Sequence, residues 1–246
     1  MAGQRKGEQS QVEERSKREQ RADRIMDAAA ELMLRWGYNK TTIDDIARLA
    51  GVAKGTIYLH WKTREDLFTA LMRREYVRLA EDIQQRIFGD PEGGTLHGLT
   101  KHSVLATMKS PLMKAVLLRD TDLLGEWMRK EYASSSYSEQ IAQSLALFEL
   151  FRARGVVRDD IDIHKQSYML SAITMGFLVI EQYMPDDFKY SDEEIVEMLT
   201  EIVKRAFEPS QQQDEKTKQE ISNTLISYMD DVIAIRNKID HEEVSS

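Results

Sequence analysis

Cysteine is absent from the 246 residues, which excludes disulfides, thiolate metal sites and cysteine nucleophiles, and suits a reducing compartment. Proline occurs four times and glycine twelve times, so the chain has little punctuation, and no segment sustains a period-two alternation. The expected fold class is all-α. Histidine is scarce too: His60, His97, His102, His164 and His241 show no HExxH or other metal-ligand spacing, so neither a metal nor a cofactor is expected. A glycine-rich phosphate loop and a GxSxG elbow are missing, and acid pairs such as Asp159-Asp160 and Asp186-Asp187 fall in connectors, where they read as solvated caps. No catalytic residue is assigned, and an enzyme is not expected. Nothing approaches the ~18 consecutive apolar residues of a membrane span, and the hydrophilic start has no signal-peptide core. The expectation is a cytoplasmic protein with no membrane partner.

What is present concentrates in residues 41–61, TTIDDIARLAGVAKGTIYLHW. Just before them, Ile25, Ala28, Ala29, Leu32, Met33 and Trp36 mark one face of a helix, and Gly37 supplies the stop. Ile43, Ile46, Ala47 and Ala50 repeat the pattern, with Thr42 as N-cap, Asp45 completing an approximate capping box and Gly51 ending the helix. A third helix starts at Ala53 or Lys54 and runs to His60. Ile57 and Trp61 anchor it inward, so that Lys54, Thr56, Tyr58 and His60 project outward. Gly55 lets the backbone approach a phosphate, Thr56 and Tyr58 can donate hydroxyls, and Lys62 follows. Helix-turn-helix geometry also occurs in folds that bind no DNA; this polar face is what argues for a polyanion.

The charge agrees. Residues 1–80 hold 16 Lys and Arg against 12 Asp and Glu, a net of +4, which leaves −12 on the remainder of a chain whose net charge is −8. A basic head on an acidic body directs DNA to one end of the molecule.

In order, Gly37-Tyr38, Thr42-Ile43, Asp45-Ile46-Ala47, Ala50-Gly51-Val52, Lys54-Gly55-Thr56-Ile57-Tyr58, Trp61, Lys62, Glu65, Asp66 and Leu67 form a block that resembles the DNA-binding domain of the TetR family of bacterial transcriptional regulators. The likeness runs from about residue 21 to residue 74. Ala53 departs from it, where the family most often has a serine cap, and so does Trp61, where it has phenylalanine. The resemblance implies that Thr42 meets a phosphate and that Lys54, Gly55, Thr56, Tyr58, His60 and Lys62 form the DNA-contacting face, on phosphates or base edges. It implies a head (19–79, helix-turn-helix 42–61) and a helical effector-binding and dimerisation domain (80–208); a charged arm (1–18) and a polar linker with an extra helix (209–246) are read from the residues outside it.

Thr63, with Asp66 three residues on, predicts a long helix to about Phe88 that joins head to body. GDPEGG (89–94) reads as a loop, residues 95–109 as a helix, and Pro111 as the first turn of the next. Further helices are predicted over 123–132 and from Tyr137 to a stop at Gly155, with 156–163 as a polar connector. The helix over 164–184 is apolar on more than one side, so it is buried centrally or against a partner. With 191–207 it holds the place of the family's dimer helices, and a homodimer is expected; paired half-sites one turn apart (~34 Å) would multiply specificity. Trp127, Met128, Tyr132, Phe148, Phe151, Tyr168, Met169 and Met175 are candidates for an effector pocket, though such residues at helical spacing also build cores. The expected function is a DNA-binding regulator, a repressor released from operator DNA by a small hydrophobic or aromatic effector. A DNA-binding factor whose body holds a protein partner is the alternative. The polar run 210–220 is followed by Ile221, Leu225, Met229, Val232, Ile235 and Ile239, an amphipathic helix outside the resemblance.

Overall fold

The computed structural model describes residues 2–132, 135–210 and 213–245; for 2–16, 131–132, 135–141, 143–144, 181, 232 and 235–245 only the backbone is described. Eleven α-helices appear among these residues, and no strand. The first, α1 (Ala2–Trp36), is continuous through the expected arm, so residues 1–18 add no separate element. Gly37 follows at φ 79, and a Cβ there would stand 2.8 Å from the Asp122 carbonyl oxygen, so both the backbone angle and the close approach require glycine. A 3₁₀ turn, Tyr38–Lys40, leads to α2 (Ile43–Ala50). The Thr42 hydroxyl accepts from the Asp45 amide, as an N-cap should, and Gly51 closes α2 at φ 66. The next helix, α3 (Lys54–Tyr58), is shorter than expected: it has no side-chain cap at Ala53 and ends two residues before His60. Thr63 and Asp66 cap each other at the start of α4 (Arg64–Phe88), giving the predicted long helix.

The body contains α5 (Leu96–Met108), α6 (Pro111–Leu118), α7 (Thr121–Tyr132, kinked at Gly125), α8 (Ser135–Ala153), α9 (Ile163–Ile180) and α10 (Asp192–Phe207). A short 3₁₀ turn, Glu181–Tyr183, occupies the end of the single long helix expected to reach residue 184, and a second, Asp186–Phe188, follows it. The 156–163 connector is not simply polar, because Val156 and Val157 are buried in the body core.

Two cores hold the molecule together, and they do not divide where the sequence suggests. The first joins Ile25, Met33, Ile46, Ile57, Leu67, Phe68 and Leu71 of the head to Leu112 and Met113 of α6 and Leu124, Trp127 and Met128 of α7. The second gathers Ile83, Ile87, Phe148, Phe151, Leu199, Val203 and Phe207. Leu79, the expected boundary residue, packs against both. Arg64 ties the start of α4 to the head: its Nε donates to the Thr41 carbonyl at 2.9 Å, and its guanidinium lies 4.0 Å from the Tyr38 ring centre.

The appended helix, α11 (Glu215–Ser245), lies along α4. Ile221 and Leu225 enter the body core. A Cβ on Gly94 would stand 1.9 Å from the Lys218 carbonyl oxygen, so only glycine admits the helix so closely. The buried Lys218 ammonium bridges Glu92 (2.6 Å) and Glu215 (2.7 Å). Gln84 donates to the Ile226 carbonyl (3.3 Å) and to Asp230 (2.7 Å). Partners on α11 rise in number as those on α4 fall, so the two helices run antiparallel.

Candidate nucleic-acid interface and effector cavity

The buried Ile57 and Trp61 seat α3 on the head, as their spacing predicts. Tyr58 is 47% exposed, and Lys54, Gly55 and Lys62 are exposed too, while Thr56 is half-buried. A Cβ at Gly55 would meet nothing within 4 Å, so the backbone there is open to a phosphate oxygen. Two of the expected contacts carry prior engagements. The Lys54 ammonium lies 2.8 Å from Asp44, whose hydrogen bond holds its pKa above the ordinary lysine value. The Thr42 hydroxyl donates to Asp45 at 2.5 Å while capping α2, so a phosphate there would share it.

His60 is placed differently from the outward position its spacing suggests. It is only 7% exposed and packs 5.2 Å from the Trp61 ring. Burial, and then the nearby Arg18 and Arg21, push its pKa below the ordinary histidine value. The reason is the end of α3: once the helix stops at Tyr58, residue 60 turns back toward α1. Leu59 takes the outward place and is 72% exposed, a position the sequence analysis did not select. Its carbonyl accepts from Arg18 at 3.3 Å, so α1 braces the end of α3. A leucine between a tyrosine and a histidine carries no periodic signal of exposure.

The effector candidates are not brought together. Trp127 and Met128 lie in the head core, sealed against α1 and α4. Tyr168 (76% exposed) and Met169 (37%) lie on the surface, and Met175 is half-buried. The Tyr132 side chain lies outside the described residues. Phe148 and Phe151 share a cavity, about 250 Å³ in volume, between α5, α8 and α9. Leu96, Leu99, Val104, Leu147 and Leu170 complete its apolar wall, and Thr100, Ser103, Ser167, Ser171 and Thr174 add hydroxyls. Leucines and small hydroxyl residues, rather than methionine and tryptophan, therefore make up most of the lining.

Around α9 and α10, Ile180, Tyr183, Met184, Phe188, Tyr190, Met198 and Ile202 are all exposed, and several of them border an apolar hollow of about 160 Å³. A continuous apolar band of this kind marks a contact surface. No helix among the described residues is long and apolar enough to cross a membrane, and no group of three or more His, Asp or Glu is placed to hold a metal ion.

The family model "Bacterial regulatory proteins, tetR family" matches residues 25–71. The fatty acid metabolism regulator protein of Bacillus subtilis is 39% identical over 66 residues, 25% of this chain and 34% of that protein. The chain thus spans about a third of the length of the curated relatives it matches first. Among solved structures, native NalD, the secondary repressor of the MexAB-OprM multidrug efflux pump in Pseudomonas aeruginosa, aligns with a TM-score of 0.56 at 22% identity, over 80% of this chain and 100% of that one. FadR from Bacillus subtilis in complex with stearoyl-CoA aligns with a TM-score of 0.53 at 21% identity, over 73% of this chain and 96% of that one. At these identities the structural likeness speaks to the fold: an all-helical chain with a helix-turn-helix head and a helical body.

Proposed function

We propose that the chain, whose residues 25–71 match the model of the TetR family of bacterial regulatory proteins, is a cytoplasmic homodimeric repressor released from operator DNA by a small apolar molecule. The observation that carries the reading is the α3 face: Gly55, Tyr58 and Lys62 open to solvent on a helix seated by buried Ile57 and Trp61. Tyr58, Thr56, Lys54 and Lys62 take phosphates or base edges, Gly55 offers its backbone, and Thr42 adds a phosphate contact at the start of α2. Leu59 suits the methyl group of a thymine. The apolar band on α9 and α10 supports a second copy as the partner, which would set two α3 helices on successive half-sites.

Coupling runs through the shared core. The cavity lies between α5, α8 and α9, while α6 and α7, which follow α5, supply Leu112, Met113, Trp127 and Met128 to the head core. A ligand that shifts α5 would therefore re-aim the head through α6, α7 and α4. Weakening operator binding a hundredfold needs about 2.7 kcal/mol of difference in ligand affinity between the two states. FadR from Bacillus subtilis is solved with stearoyl-CoA, which supports a small-molecule input in a fold of this kind but not its size or charge.

The test is selection of duplexes from a random pool, followed by titration of the selected site at several salt concentrations. Tyr58→Ala and Lys62→Ala should each weaken binding across sequences, and Lys62→Ala alone should flatten the slope of log K against log salt by about one. An unchanged slope in Lys62→Ala would remove Lys62 from the interface, and unchanged affinity in Tyr58→Ala would remove Tyr58. A purified dimer that ignores duplex DNA at low salt would end the proposal.

A further inference from the structure

The cavity between α5, α8 and α9 carries more than an apolar preference. Ser167, Ser171 and Thr174 fall at i, i+4 and i+7 on α9 and form one hydroxyl stripe, which shares the cavity with Ser103 of α5. Thr100 already donates its hydroxyl to the Leu96 carbonyl at 2.8 Å, so toward a ligand it offers only acceptor lone pairs. None of the described lining residues is charged. An ionised carboxylate or ammonium entering here would lose water without gaining a counter-charge, a heavy penalty. A neutral hydroxyl or carbonyl would exchange water for serine and threonine at little net cost. Size sets a second limit: about 250 Å³ lies below the usual range for drug-sized ligands.

We infer that the effector is an uncharged, largely apolar molecule of small size, with a hydroxyl or carbonyl directed at the α9 stripe. This rests on the reading of the cavity as the effector site. It separates the protein from sensors of ionised acids and of lipophilic cations, whose sites must supply an opposite charge or an aromatic cage.

Three probes with the same alkyl chain test the idea: 1-decanol, decanoate and decyltrimethylammonium, titrated calorimetrically into the full-length protein. Decanol should bind at least tenfold more tightly than either charged probe. Ser171→Asp, at an exposed position on the cavity rim, should weaken decanol and strengthen decyltrimethylammonium until their order reverses. Thr174→Val should weaken decanol severalfold and leave thermal unfolding near that of the parent, so that a folding defect in the first variant would not hide the answer. Decanoate or the ammonium probe binding as tightly as decanol would overturn the inference, as would no binding by any of the three. Decanol that binds in the cavity yet leaves operator affinity unchanged would uphold the ligand class and refute the release mechanism.

Discussion

The core around Phe68 and the core around Phe151 draw on the same aliphatic and aromatic residue types, yet the second borders the cavity between α5, α8 and α9 and the apolar hollow beside α10. The head core is closed by contributions from six helices, and α6 and α7 seal it from the body side. Close packing on all sides makes such a core resist deformation, as a helix that must read DNA to within an ångström requires. The body core stops short at α9, where Tyr168 stands 76% exposed while Leu178 of the same helix is buried. Room to deform belongs there. On the proposed function, the protein would be rigid where it reads DNA and looser where it senses a ligand, and α4 contributes to both cores.

Paired truncations should expose that contrast most strongly. Trp127→Ala and Phe151→Ala each remove a buried aromatic side chain and should each cost about 3–5 kcal/mol. Their consequences should differ. Trp127→Ala should abolish operator binding as the head loosens, and decanol should not restore it. Phe151→Ala enlarges the cavity, so decanol should return part of the lost stability in a thermal melt. If both variants respond alike to decanol, the two cores do not have separate roles.

A smaller effect, confined to the head, should follow from Thr42→Ala. Loss of the cap should cost about 1 kcal/mol of stability and weaken operator binding beyond that. A melt unchanged by the substitution would show that the α2 cap does not hold the head.

The mildest probe is acid, and it reaches one histidine in each core. Burial lowers the pKa of His60 in the head, with Arg18 and Arg21 adding to it; burial also lowers that of His102 in the body, against the opposing pull of Asp90. Both fall below the unfolded value of 6.5, so the unfolded chain takes up protons first as pH drops. Stability from these groups is complete above pH 6.5 and declines below it, toward the lowered folded values. Denaturant midpoints at pH 7.5 and 5.5 should therefore fall on acidification. His60→Gln should remove part of that fall, and a full fall in this variant would place the acid sensitivity in the body.

Much of the head could be read directly from the chain, because its signals are local. Thr42 and Thr63 cap helices in their own sequence neighbourhood, Gly51 takes a left-handed angle, and Ile57 and Trp61 point inward by spacing alone. His60 and Leu59 escaped because their places depend on where a short helix stops and on Arg18, 41 residues away from Leu59. The candidate effector cavity was less legible still. Trp127 and Phe151 look alike as pattern, and only tertiary packing sends one to the head and the other to the cavity. Ser167, Ser171 and Thr174 share a helical face, but nothing in the order of residues says that this face borders a void.

The close seat of α11 on α4 has a mechanical result. Beyond Asp230 the helix continues for fifteen residues to Ser245, about 22 Å of further rise. If α4 carries the proposed signal between body and head, α11 backs it with a second rod where Gln84 meets Ile226 and Asp230. Two rods side by side flex less than one, so the signal would leave α4 as tilt instead of dissipating in curvature. Removing the second rod would return α4 to a single span, and would also take Ile221 and Leu225 out of the body core.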